Sequence, residues 1–224
     1  MSSSTPATGT DTVTATATAS TNALLSAIQT RRSCYTLTKT APIPDSRIRE
    51  IVQATITHAP SAFNVQSTRA VVLVGREHER LWDIGDAALK EAMPEQAYVG
   101  LAGRLRGFRA AYGTVLWFED QAVLDVLKGK NPALGHVVPQ WSAHSNGMHQ
   151  FIAWTALELE GLGCNLQHYD FMPAFTERVL AQWDLPATWT LHSQLVFGAP
   201  VDGLLERSRE RTYLPLEERV RMFG

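Results

Sequence analysis

The chain has 224 residues, 20 basic and 22 acidic side chains, a formal net charge of -2 and 45% hydrophobic residues. That size fits one domain with an ordinary core, and the near balance of charge argues against a binder of nucleic acid or anionic membrane. Cys34 and Cys164 stand far apart with no CxxC spacing, which excludes a disulfide framework or a zinc site and favours a reducing compartment. The expected address is the cytoplasm, extending to the nucleus. No apolar run approaches the roughly 18 residues of a membrane helix.

Residues 1–21 are dominated by Thr, Ala and Ser, with Asp11 as the one charge. Such a composition buries little apolar surface, so a disordered tail is expected, followed by a single domain over 22–224. It lacks the apolar core of a secretory signal and the arginines of a transit peptide. Leu24, Leu25 and Ile28 mark a short helix over 22–30. Pro42-Ile43-Pro44 breaks the chain, and a second helix follows with Ile48, Ile51, Val52 and Thr55 on one face. His58-Ala59-Pro60 ends it. A turn over 61–64 leads to a strand over 69–74. Helices are expected over 77–93 and 95–109, split by Pro94, then a buried strand over 114–118 and a helix over 119–128. After a loop through Pro132 and Pro139 comes the longest periodic segment, 141–159, where Met148, Ile152, Thr155 and Leu159 form one stripe with Phe151 and Ala143 beside it. Gly161-Leu162-Gly163 ends this helix as a C-cap. A strand over 164–169, a helix over 175–183 and a strand over 191–197 complete the pattern. Trp82, Trp141 and Trp154 are expected in the core. Helices outnumber strands and alternate with them irregularly, which reads as α+β, or α/β with a mixed sheet.

Three groups of residues could carry chemistry. Arg31-Arg32-Ser33 follows a helix, where two guanidiniums, a hydroxyl and free backbone N–H groups suit a phosphate or carboxylate; a solvated basic turn is the alternative. Ser61, Asn64 and Gln66 offer an amide edge for a planar heterocycle, or simply satisfy a turn. The Arg207-Ser208-Arg209-Glu210-Arg211 run is a solvated surface, or a second set of phosphate ligands if it folds back on the Arg31 turn. His168, between Gln167 and Tyr169 at a strand end, is a candidate site residue or a satisfied core histidine. His144 and His149 are five apart, about 140° around a helix, and cannot share a metal. There is no phosphate loop of the GxxxxGK[ST] type and no GxSxG elbow. A Cys34 nucleophile beside Arg31 and Arg32 is a minority reading, with an inert packed thiol as its rival.

In order along the chain, these groups resemble the nitroreductase family of flavin mononucleotide (FMN) enzymes, and more closely its fungal-type branch. The resemblance is carried by Arg31-Arg32-Ser33-Cys34-Tyr35, by residues 59–67 (APSAFNVQS), by 112–119 (YGTVLWFE), by 144–169 (HSNGMHQFIAWTALELEGLGCNLQHY) and by the Leu214-Pro215-Leu216 ending. It covers nearly all of the chain from Asn22. It implies an α+β fold with a central mixed or antiparallel sheet flanked by helices, assembled as an intertwined homodimer with FMN at the interface. Arg31 and Ser33, with Arg32, would hold the FMN phosphate and ribityl chain, and Arg209 or Arg211 would approach the same phosphate. Ser61, Asn64 and Gln66 would reach the flavin edge from the partner chain, and Gln167 and His168 would lie against its other face. Tyr35 would stand beside the flavin where many bacterial relatives carry a basic residue. The implied activity is two-step hydride transfer from NADH or NADPH through flavin N5 to an electron-poor acceptor such as a nitroaromatic or quinone. A slow flavin-binding regulator of redox stress and a specialised biosynthetic oxidoreductase are the alternatives, with a Cys34- or Ser33-dependent hydrolase as a reading from a different class.

Overall fold

A computed structural model describes residues 10–201 and 210–224, with side chains from residue 18 onward. Its centre is a four-stranded sheet of β1 (Thr68–Val74), β2 (Gly113–Asp120), β3 (Gly163–Gln167) and β4 (Trp189–Gly198), in the order β1-β2-β4-β3. Every pairing is antiparallel. Among the described residues the one parallel element is an isolated bridge between Ser33 and Cys164 at the β3 edge. The fold is α+β, as expected.

Alternation along β2 explains the layering. Leu116 and Phe118 face a core built with α3 (Gly75–Ala92), α4 (Glu95–Arg109) and α7 (Pro173–Gln182), including Leu81, Trp82, Leu105 and Phe175. Val115 and Trp117 face the opposite core, where α2 (Asp45–His58) brings Ile48, Ile51 and Val52 and α6 (Val138–Leu159) brings Ala153 and Leu157. A sheet covered on both faces needs apolar residues on both sides of its central strands, and β2 is buried along nearly its whole length. Helix α2 begins at the residue after Pro44 and buries Ile48, Ile51, Val52 and Thr55 as predicted.

Four expectations are corrected. Helix α1 runs Thr10–Thr30, so it starts well before residue 22. Alanines and the absence of Gly or Pro let the segment stay helical, even though residues 18–26 are exposed. The stretch over 119–120 continues β2, and the following helix α5 is Gln121–Lys130, with the Asp120 carboxylate accepting from the Ala122 N–H at 3.2 Å. Helix α6 begins at Val138 and takes Pro139 into its first turn, where proline needs no N–H partner. Most of the α6 stripe also faces outward: Met148, Phe151 and Ile152 are each 39% exposed and Leu159 is 69% exposed, while Thr155 alone of the stripe is buried. The inner face of the helix instead carries Ser142, Ser145, Asn146 and His149 in its first half and Ala153 and Leu157 in its second. Of the three tryptophans expected inside, Trp82 is fully buried and Trp141 and Trp154 are half-buried. The helix ends as predicted: Gly161 has φ 85°, and the N–H groups of Gly161 and Leu162 donate to Glu158 and Leu157. Among the described residues, no helix is long and apolar enough to cross a membrane.

Candidate functional site

The Arg31 turn is sewn to the start of β3. Cys34 N–H donates to the Cys164 carbonyl at 2.7 Å, and Asn165 Nδ2 donates to the Cys34 carbonyl at 2.8 Å. Gly163 is required there, since a Cβ would lie 2.8 Å from Leu37 and 3.0 Å from the Cys34 side chain. The turn therefore presses directly on the strand.

Arg31 lies over the indole of Trp154, with Cζ 4.3 Å from the ring centroid. One helical turn on, Glu158 accepts from Trp154 Nε1 at 2.8 Å and from the Arg32 N–H at 2.9 Å. Arg211 folds back to this point, as one reading of the basic run predicts; its field, with those of Glu158 and Arg32, reaches Arg31. Arg209 lies outside the described residues. Arg31 Nε and Arg211 Nη2 are buried with no hydrogen-bond partner. Burial lowers the Arg31 pKa, with Glu158 opposing and the neighbouring arginines reinforcing the shift. Two guanidiniums side by side with idle, desolvated N–H groups form a socket that suits an oxyanion. Ser33 and Tyr35 are exposed beside it.

At the far end of β3, Gln167 Nε2 donates to Asn165 Oδ1 at 2.8 Å, and the Tyr169 N–H donates to Gln194 Oε1 at 2.8 Å. Gln194 Nε2 is buried without a partner. His168 is exposed, so it is not a core histidine. Tyr35 and Gln167 line a cleft of about 510 Å³ with Gly103, Arg104, Gly107 and Phe108 of α4. That volume suits a small aromatic ligand. Arg104 was not singled out by the sequence, where it is one of several arginines on a helix.

Ser61, Asn64 and Gln66 are elsewhere. Their loop holds Phe63, Asn64 and Gln66 at positive φ (55°, 52° and 51°), which is strained backbone for such residues. Ser61 Oγ accepts from the Gln66 N–H at 3.0 Å, so this hydroxyl at least satisfies the turn. Asn64 and Gln66 are exposed. The strain is held down by an element that sequence reasoning missed. Glu119 is fully buried, and its carboxylate accepts from Ser67 Oγ (2.5 Å), Thr68 Oγ1 (2.6 Å), Ser142 Oγ (2.7 Å) and Asn146 Nδ2 (2.8 Å). Ser145 Oγ adds a bond to the Pro60 carbonyl at 3.0 Å. The only available signal for this network was a carboxylate inside an apolar run.

The structure thus gathers Arg31, Arg32, Ser33, Tyr35, Gln167, His168 and Arg211 along the β3 edge and leaves Ser61, Asn64 and Gln66 at the β1 edge. Thr68 aligns through Glu119 with Thr190, whereas Cys164 aligns with Phe197. Strand spacing and rise put the two sets about 14 Å apart across the sheet and about 20 Å along it. One copy of the chain does not unite them.

The thiols give no support to a hydrolase. Burial pushes the Cys34 thiol pKa up and that of Cys164 well above its ordinary value, and the Cys34 thiol's own hydrogen bond goes to the Thr36 carbonyl.

The profile of the Nitroreductase family matches residues 28–199. Nitroreductase FRM2 of Saccharomyces cerevisiae is 39% identical over 182 residues, covering 80% of this chain and 89% of the relative. The structure of nitroreductase CinD from Lactococcus lactis in complex with 4-nitrophenol superimposes with a TM-score of 0.79 at 33% identity, covering 90% of this chain and all of the other. A putative nitroreductase in complex with FMN from Desulfovibrio desulfuricans shares the fold, with a TM-score of 0.62 at 22% identity over 89% of this chain and 96% of the other. The chain belongs to the nitroreductase family, whose members are oxidoreductases.

Proposed function

We propose that the chain is an FMN-dependent NAD(P)H oxidoreductase that works as a homodimer and reduces small electron-poor acceptors, nitroaromatics and quinones, by a ping-pong route. The observation that carries this reading is the pair of buried, partnerless guanidinium nitrogens on Arg31 and Arg211. A phosphate monoester answers both, at the place where, among the described residues, buried cationic N–H groups are left idle. The CinD complex with 4-nitrophenol and the FMN complex of the more distant fold relative lend support from outside the chain.

FMN, when bound, supplies the redox chemistry, accepting a hydride from the nicotinamide and passing electrons to the acceptor. The chain's own residues bind and orient. Arg31 and Arg211 hold the phosphate, with Ser33 and Arg32 beside them. Tyr35, Gln167 and His168 flank the ring in the α4 cleft. Arg104 brings a guanidinium into that cleft, where position 35 offers only a phenol, and its charge stabilises negative charge on the reduced ring. Asn64 and Gln66, with Ser61 shaping their loop, come from a second copy. The outward apolar face of α6 is the natural surface for that copy, since free helices do not normally carry Met148, Phe151 and Ile152 to water.

The test is direct. Purified protein should be yellow, and NADH or NADPH should bleach it in a single turnover, with colour returning on addition of a nitroaromatic or quinone. Colourless protein that takes up no added FMN would overturn the reading. Flavin that binds but is not reduced would point to a regulator.

A further inference from the structure

Glu158 has no evident reason to stand where it does. It is a half-buried carboxylate inside a cluster of cations whose idle N–H groups await an anion. Burial raises its pKa, while hydrogen bonds from Trp154 and the Arg32 N–H and the fields of Arg31 and Arg211 oppose that shift. Its two oxygens are divided: Oε1 takes the indole on which Arg31 lies, and Oε2 takes the backbone that follows Arg31. It is thus bonded to the support of Arg31 and to the turn after it. Its charge also acts on Arg31 from within the cluster.

We infer that Glu158 is the built-in counter-anion of the Arg31–Arg211 pair, holding the two guanidiniums together while the socket is empty and repelling the anion that fills it. Without Glu158, two desolvated cations would face each other with no anion beside them, which costs stability until an anion binds. With it, the socket is preformed, but every incoming phosphate meets one unfavourable neighbour. Glu158 is therefore a positioning residue that trades anion affinity for stability of the unliganded chain, and it keeps the cofactor exchangeable. The inference rests on the reading of the Arg31 turn as an anion site.

The two halves of this role have opposite signs, which a merely structural residue would not show. Glu158→Gln keeps an acceptor for the Arg32 N–H and removes the charge; Glu158→Ala removes both. In the unliganded full chain both variants should melt several degrees below wild type. Affinity should move the other way. The dissociation constant for inorganic phosphate, from thermal shift at constant ionic strength with chloride as control, should fall about fivefold in Glu158→Gln. That for FMN, from flavin fluorescence quenching, should fall alongside it. Phosphate affinity that is unchanged or weaker in both variants overturns the inference whatever FMN does. Phosphate that protects neither wild type nor variant also overturns it, because no anion site then exists. Phosphate that binds as expected while FMN binds to nothing upholds the inference and instead removes the flavin reading.

Discussion

Arg31 rests on the face of Trp154, its guanidinium carbon 4.3 Å from the ring centroid, across 123 positions of sequence. The indole fixes a side chain that would otherwise sample many rotamers, so the cation is already placed when an anion arrives. Trp154→Leu keeps an apolar side chain and removes the aromatic face. A partly desolvated contact of this kind contributes about 1 kcal/mol. Trp154→Leu should therefore weaken FMN about fivefold, with Trp154→Phe in between. Arg31→Ala should lose more, since a charge-assisted bond of about 1.5–3 kcal/mol goes with it. Fluorescence titration of the apo-protein measures both; equal affinity in wild type and Arg31→Ala would move the phosphate ligands elsewhere.

Glu119 accepts four hydrogen bonds in full burial. Glu119→Ala strands several donors away from water, at roughly 1–3 kcal/mol each. We expect a loss of at least about 3 kcal/mol in urea unfolding. The 61–66 loop should also be cut by protease faster than the rest of the chain, because its strained residues lose their anchor. A loss below about 1 kcal/mol would show that the network is not what holds the loop.

His78 is buried, with Nε2 on the Phe108 carbonyl and Nδ1 on Thr114 Oγ1, which itself accepts from Trp82 Nε1. Burial lowers its pKa from 6.5 to about 4. The folded state holds the ring neutral, while the unfolded chain takes up a proton as pH falls below 6.5. The stabilisation is thus fully present above that value and is lost as pH drops to about 4, amounting to about 3 kcal/mol. Unfolding midpoints across this window should fall for wild type and fall less steeply for His78→Gln. Parallel slopes would mean that other groups carry the acid sensitivity.

The two halves of the proposed site lie at opposite edges of the sheet, so complementation is expected between chains. Arg31→Ala and Asn64→Gly homodimers should each bind FMN poorly. Unfolded together in equal amounts and refolded, they should regain about a quarter of the wild-type sites, because half the dimers are mixed and each mixed dimer holds one intact site. No recovery would mean that each chain builds its site alone.

Much of the fold could be read from the chain itself where chemistry is local. Pro44 and Pro60 bracket α2 because a ring fixes φ and restricts the preceding residue, and the C-cap at Gly161 follows from glycine's freedom at positive φ. The inner face of α6 was not legible. Periodicity finds an apolar stripe but does not say which side meets the core, and here a satisfied set of Ser142, Ser145, Asn146 and His149 shares the inside with Ala153 and Leu157. Glu119 resembled a helix start because an acidic side chain usually sits there, and its four donors come from segments far away in sequence. The Arg31 turn was found, but Trp154 and Glu158, which set its geometry, were hidden in a helix that looked like plain core. Arg104 gave no sign until α4 was seen to wall the cleft beside Tyr35.

The cluster around Glu119 has a consequence for how this chain can change over generations. Ser67 and Thr68 at the start of β1 and Ser142 and Asn146 on α6 sit on two stretches far apart in sequence, yet each spends a hydrogen bond on one shared oxygen pair. Selection meets these four positions and Glu119 as linked: losing Glu119 strands all four donors, and losing any one donor leaves the buried carboxylate with a partner fewer. The exposed tips of the same loop, Asn64 and Gln66, send no side-chain bond to that carboxylate, and what restricts replacement there is the positive φ each of them holds.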